Sequence, residues 1–162
     1  MTTFEFTLNY ALADYNENAE IYIDALAKAG CTDAIVGIGQ SGQIGLMFSR
    51  DAESAYEAIT SAITAVALAL NKAQLIEASP DLVGLTDVAN ILGFSRQNMR
   101  KLMLAHKHNF PVPVHTGKET IWHLTNIIDW FESRQRPLEP SIKDVARVTR
   151  RINVEKEYAK LT

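Results

Sequence analysis

The chain has 162 residues, is 47% hydrophobic and carries a net charge of −3, which allows one ordinary domain or two small ones with a real core. Its longest apolar stretch, Ile63 to Leu70, is far short of the about 20 residues that span a bilayer. No basic segment followed by an apolar one marks a secretory signal, and the lone Cys31 excludes an internal disulfide, so a soluble cytoplasmic protein is expected.

The overall charge hides an asymmetry. Residues 1–82 hold 3 Lys+Arg against 11 Asp+Glu, net −8, whereas residues 83–162 hold 13 against 8, net +5. An acidic half repels nucleic acid and a basic half attracts it, which suggests a division of labour.

Phe4, Phe6, Leu8 and Tyr10 alternate with Glu5, Thr7 and Asn9, the period of a half-buried strand. A helix follows from about Glu17 to Ala29, with Ala19, Tyr22, Ile23, Leu26 and Ala27 on one face and Gly30 at its stop. The carboxylates Asp14, Glu17, Glu20 and Asp24 have the spacing of a solvated helix face, with no histidine converging on them. The next stretch, GIGQSGQIG, matches G-x-G-x-x-G at Gly37, Gly39 and Gly42 directly after the strand-like Ala34-Ile35-Val36. A phosphate cradle requires a helix to open after the third glycine. Instead Ile44, Leu46 and Phe48 recur at period two, so the glycines shape a β-hairpin with its tip at Gly39-Gln40-Ser41-Gly42. A long helix is expected from Asp51 to Asn71, with Ala55, Ala58, Ile59, Ala62, Ile63, Val66 and Leu70 inward, then a strand from about Ala73 to Ala78.

The resulting order, βαββαβ, is the ferredoxin-like arrangement, here an acidic domain over residues 1–79. Its uncovered sheet face carries Glu5, Thr7, Asn9, Gly45 and Met47, which offers no aromatic platform for RNA bases. Self-association, a protein partner or a small-molecule ligand is open for this domain.

The second half begins after Pro80-Asp81. Thr86 is expected to cap a short helix with Leu85, Val88, Ala89, Ile91 and Leu92 inward, ended by Gly93. Ser95 caps the next, where Met99, Leu102 and Met103 return to the core and Arg96, Gln97, Asn98, Arg100 and Lys101 stay exposed. Two short helices across a Gly-Phe-Ser turn make a helix-turn-helix pattern. Residues Phe110 to His123 read as a two-stranded wing turning at Thr116-Gly117-Lys118, followed by an amphipathic helix from Leu124 to Arg134 that contains Trp130 and Phe131. Trp122, Trp130 and Phe131 read as core.

On LTDVANILGFSRQNMRKL, FPVPV, the Gly117-Lys118 turn and NIIDWF, the segment from about Asp81 to Arg134, within a domain of residues 81–136, resembles the winged helix-turn-helix of MerR-like and AlpA/excisionase-type DNA-binding proteins. The resemblance implies duplex DNA binding, with the helix from Ser95 in the major groove and the wing on the backbone or minor groove. One departure is His123-Leu124-Thr125, where such proteins often carry an arginine. His106, His108, His115 and His123 lack metal-ligand spacing and read as exposed polar groups.

Pro137 and Pro140 precede a C-terminal helix, residues 141–162. Its apolar stripe is Ile142, Val145, Thr149 and Ile152, and its basic side is Lys143, Arg147, Arg150 and Arg151. The stripe suits either packing on the wing domain or dimerisation.

The expectation is an α+β chain: a ferredoxin-like domain, a winged helix-turn-helix and a C-terminal helix. It acts as a prokaryotic or phage-type DNA-binding regulator, homodimeric on duplex DNA, without catalysis, cofactor or metal. Arg96, Gln97, Asn98 and Arg100 read bases, Lys101, Lys118 and Arg147 meet phosphates, and Ser95, His115 and Thr116 add contacts from the helix start and wing. The alternative is an interaction or adaptor module, or an excisionase-like architectural factor, with the acidic domain as its main surface.

Overall fold

A computed structural model describes residues 1–14 and 16–162. It is a mixed α+β chain with a four-stranded antiparallel sheet, a small second sheet and six α-helices. The large sheet is formed by β1 (Thr2–Ala11), β2 (Ala34–Gly37), β3 (Gln43–Ala52) and β4 (Gln74–Ser79) in the order β2-β3-β1-β4. Period-two alternation puts Phe4, Phe6, Leu8 and Tyr10 of β1 on one buried face with Ile44, Leu46 and Phe48 of β3. The register sets Phe6 opposite Phe48 and Leu8 opposite Leu46, and the two phenylalanine rings stack with centroids 5.1 Å apart.

No helix opens after the glycines. Gly37 pairs with Gly45 across the hairpin, and the tip turns through Gly42 at φ 76°. The first helix differs from expectation. A 3-10 turn, Ala19–Tyr22, is capped by Asn18 and leads into the short α1, Ile23–Lys28. The tighter winding shifts the phase of the apolar face, so Ala19 and Leu26 are buried while Ile23 and Ala27 face solvent. The second helix also starts later than Asp51. Pairing with β1 extends β3 to Ala52, opposite Thr2, and α2 (Ala55–Ala69) begins after Ser54, whose hydroxyl accepts the Glu57 N–H at 3.1 Å. Its alanines at 55, 58 and 62 are buried and let the helix approach the sheet closely.

In the second half, β5 (Leu82–Val83), too short to show periodicity, pairs with β6 (Trp122–His123). Between them lie α3 (Leu85–Leu92) and α4 (Arg96–Ala105), and α5 (Leu124–Ser133) follows. The wing is not a two-stranded ladder. Only His115 and Ile121 bridge before β6, because Pro111 and Pro113 have no N–H to give. Val88, Met99, Leu124, Ile127, Ile128 and Phe131 form a second core, with Trp122 and Trp130 beside them.

The C-terminal helix α6 (Pro140–Ala159) joins the two cores. It packs on β1, β4, α2 and α5, burying Val145 in the first core and Ala146 in the second. The apolar stripe therefore meets this chain's own sheet and helices, and its buried Val145 and Thr149 are closed to a second copy. Below the helix, Asn153 clamps the junction. Its side chain accepts the Ala78 N–H at 2.8 Å and donates to Ala78 O at 2.7 Å and Asp81 Oδ2 at 2.9 Å. The Thr149 hydroxyl donates to Pro80 O at 2.6 Å. The other oxygen of the buried Asp81 meets His123 Nδ1 at 2.8 Å, and its backbone carbonyl accepts the Leu124 N–H at 2.7 Å. Among the described residues, no helix is long and apolar enough to cross a membrane.

Removing the clamp strands a buried carboxylate oxygen and both polar groups of Ala78. Asn153→Ala should therefore lower stability by about 3 kcal/mol, read from urea unfolding, whereas Val154→Ala on the exposed side of the same helix should change it by less than about 0.5 kcal/mol.

Candidate nucleic-acid interface

Local chemistry positions α3 and α4. Gly84, not Thr86, precedes α3, and the Asp87 carboxylate accepts the Gly84 N–H at 2.9 Å. Thr86 instead lies in the first turn. Gly93 ends the helix in the left-handed region at φ 75°, a conformation that a side chain would disfavour. Ser95 then caps α4, its hydroxyl accepting the Asn98 N–H at 3.1 Å. Met99 is fully buried beneath α4, and with Leu102 and Met103 packed against the same core it turns the opposite face outward. Arg96, Gln97, Asn98, Arg100 and Lys101 are all exposed.

Arg96 and Arg100, one helical turn apart, share a groove with Lys118 of the wing. The groove holds about 380 Å³ and is completed by the start of α3 and by Glu119 and Thr120. No ion pair neutralises Arg96, Arg100, Lys101 or Lys118 among the described residues. Three cations against two carboxylates, Asp87 and Glu119, leave this concave surface net positive. The first turn of α4 adds its unsatisfied amides, the positive end of the helix dipole.

The wing is held from behind. Trp122 Nε1 donates to Pro111 O at 2.9 Å, and Val114 N–H donates to Ile121 O at 2.8 Å. His115 and Thr116 are exposed on this loop. The His115 ring folds over Gly117, where an added Cβ would come within 3.0 Å of Nε2, so Gly117 leaves room for that close approach.

Arg147 stands apart from this group. It lies on α6 beside Thr2, Glu53 and Tyr56 of the acidic half, because the helix runs along the large sheet and not toward the wing. Two of the four histidines are also engaged internally. His123 pairs with Asp81, and His106 packs edge-on against Trp130 at 5.5 Å with an Arg134 nitrogen 3.2 Å from its Nε2. Glu119, inside the groove, carried no periodic or motif signal that would single it out, and Arg150, which helical spacing had placed on the basic side of the C-terminal helix, instead donates to Thr125 Oγ1 at 2.7 Å. Among the described residues, no group of three or more His, Cys, Asp or Glu side chains is gathered as metal ligands would be.

No protein-family model, curated protein or solved structure matches this chain.

The role of Ser95 as a cap can be separated from side-chain identity. Ser95→Ala should cost about 1 kcal/mol of stability and Ser95→Asp only a few tenths, measured by denaturant midpoint. Equal losses for both would mean that the hydroxyl does something other than hold the Asn98 amide.

Proposed function

We propose that this chain is a sequence-specific duplex DNA-binding protein, a transcriptional regulator whose α4 enters the major groove while the wing rests on the backbone. The observation that carries this reading is the convergence of Arg96, Arg100 and Lys118, none of them ion-paired among the described residues, on one groove at the exposed face of α4. An α-helix with its side chains, about 10–12 Å across, matches the about 12 Å width of the major groove. Arg96 and Arg100 suit guanine N7 and O6, and Gln97 and Asn98 suit adenine N6 and N7. Lys101 and Lys118 serve phosphates, as do amides at the start of α4.

The strand order β2-β3-β1-β4, with α1 and α2 in the two crossovers, supports a ferredoxin-like N-terminal domain. The succession α3, α4, wing and α5 supports a winged helix-turn-helix. A reader of this size gains site length by pairing on two half-sites, so the active form is a homodimer. Because the α6 stripe is occupied internally, pairing uses another surface.

Fluorescence anisotropy against a randomised duplex pool, across a salt series, tests the proposal. Binding should weaken linearly in log-log form, with a slope of about −0.9 for each phosphate neutralised. Arg96→Ala should cost about 1 to 3 kcal/mol on the preferred site and relax specificity there, whereas Lys118→Ala should weaken all sequences alike and flatten the slope by about 1. Absence of binding at low salt would favour an interaction module centred on the acidic domain.

A further inference from the structure

The face of the large sheet opposite α2 and α6 is flanked by the second half of the molecule. Together with β5 and α3 it walls a cleft of about 750 Å³, a volume in the range of small-molecule sites. Strand register explains its floor. Ile35, Met47, Thr7 and Ser79 form one row across all four strands, and Ile35 and Met47 are 67% and 49% exposed. Leu82 of β5 and Ile91 of α3 supply apolar groups from the other wall.

The charged groups that line this floor are of one sign, and two of them also feel a nearby cation, Asp33 that of Arg50 and Glu77 that of Lys156. Glu5, Asp33, Glu77 and Asp87 line the cleft, and among the described residues no Lys, Arg or His does. Two of the four are already engaged, Asp33 by Arg50 at 2.8 Å and Asp87 by the Gly84 N–H at 2.9 Å. Glu5 and Glu77 have no ion-pair partner among the described residues. Burial and then the neighbouring Asp81 push the Glu77 carboxyl up from its ordinary value, while Lys156 pulls it the other way. A cation placed beside Glu77 would relieve that penalty.

The two properties together select a ligand. A neutral apolar molecule leaves the negative potential unused, and an anion is repelled by it. A fully hydrated cation gains nothing from Ile35, Met47, Leu82 and Ile91. A compact body suits a space walled by a sheet on one side and a helix on the other better than an extended peptide does. We propose that this cleft binds a small amphiphilic organic cation, an amine or onium centre carried on an apolar body, with Glu77 and Glu5 facing the charge. Because Asp87, Asn90 and Ile91 belong to α3, the helix packed against α4, an occupant also touches the support of the DNA-reading helix. The site does not depend on the DNA-binding proposal, and its test uses no DNA.

The probes are tetraphenylphosphonium and tetraphenylborate, ions of nearly the same shape and opposite charge, titrated calorimetrically into the full chain. Met47→Arg, which puts a fixed cation on the cleft floor, defines the part of any binding that belongs to this site. The phosphonium should bind there at least about tenfold more tightly than the borate, and Glu77→Gln should weaken it by roughly tenfold. Glu77→Gln removes a charge that burial already disfavours, so its unfolding midpoint should not fall and the loss of affinity is not a loss of fold. No phosphonium binding, equal affinity for the two ions, or binding unaffected by both substitutions would overturn the proposal. Capture of an oligolysine peptide in place of the phosphonium would also overturn it, in favour of a protein-docking surface.

Discussion

The buried carboxylate of Asp81 is the constraint on which the arrangement of this molecule rests. At 1% exposure it is cut off from water, and a charge so placed is tolerated only when it is fully hydrogen-bonded. Its partners come from distant parts of the chain: His123 at the base of the wing and Asn153 on α6. Satisfying one side chain therefore brings three segments together. The segment between the two cores, the edge of the small sheet and the C-terminal helix meet so that both carboxylate oxygens of Asp81 are paired.

From that junction follows a molecule with fixed electrical sides. The acidic half has only three basic side chains against eleven acidic ones, and α6, clamped at Ala78, Pro80 and Asp81 and buried in both cores, ties it to the basic half. The cations of α4 and the wing gather on one surface, while carboxylates gather in the cleft between the sheet and α3. An approaching polyanion meets attraction on one side and repulsion on the other, so the field orients as well as attracts. The helix α3 borders both surfaces, with Asp87 lining each.

Much of the local structure was legible in the order of residues. Alternation from Phe4 to Tyr10 and from Ile44 to Phe48 marked two central strands, and the absence of a helix after Gly42 settled the glycine-rich stretch as a hairpin. Gly93 and Ser95 marked the end of one helix and the start of the next, since each acts within a single turn. Of three misses in these elements, two were local in origin and the third, a pairing between distant strands, was not. A 3-10 turn shifted the face of the first helix, prolines kept the wing from forming a ladder, and pairing with β1 carried β3 past the point where a helix was expected.

The sequence by itself determined the division of charge, the period of the two central strands and of α2, and the exposed set on α4, because these depend on neighbours a few positions apart. Tertiary structure alone decided that Arg96 and Arg100 share a groove with Lys118 and that Arg147 stands with the acidic half. It also decided that the stripe of α6 is spent inside the chain. Asp81 and Asn153 meet across 72 positions, and a contact at that separation leaves no period, cap or turn residue to announce it. It exists because burial of a charged group requires a partner, and folding supplies one from wherever in the chain it can reach.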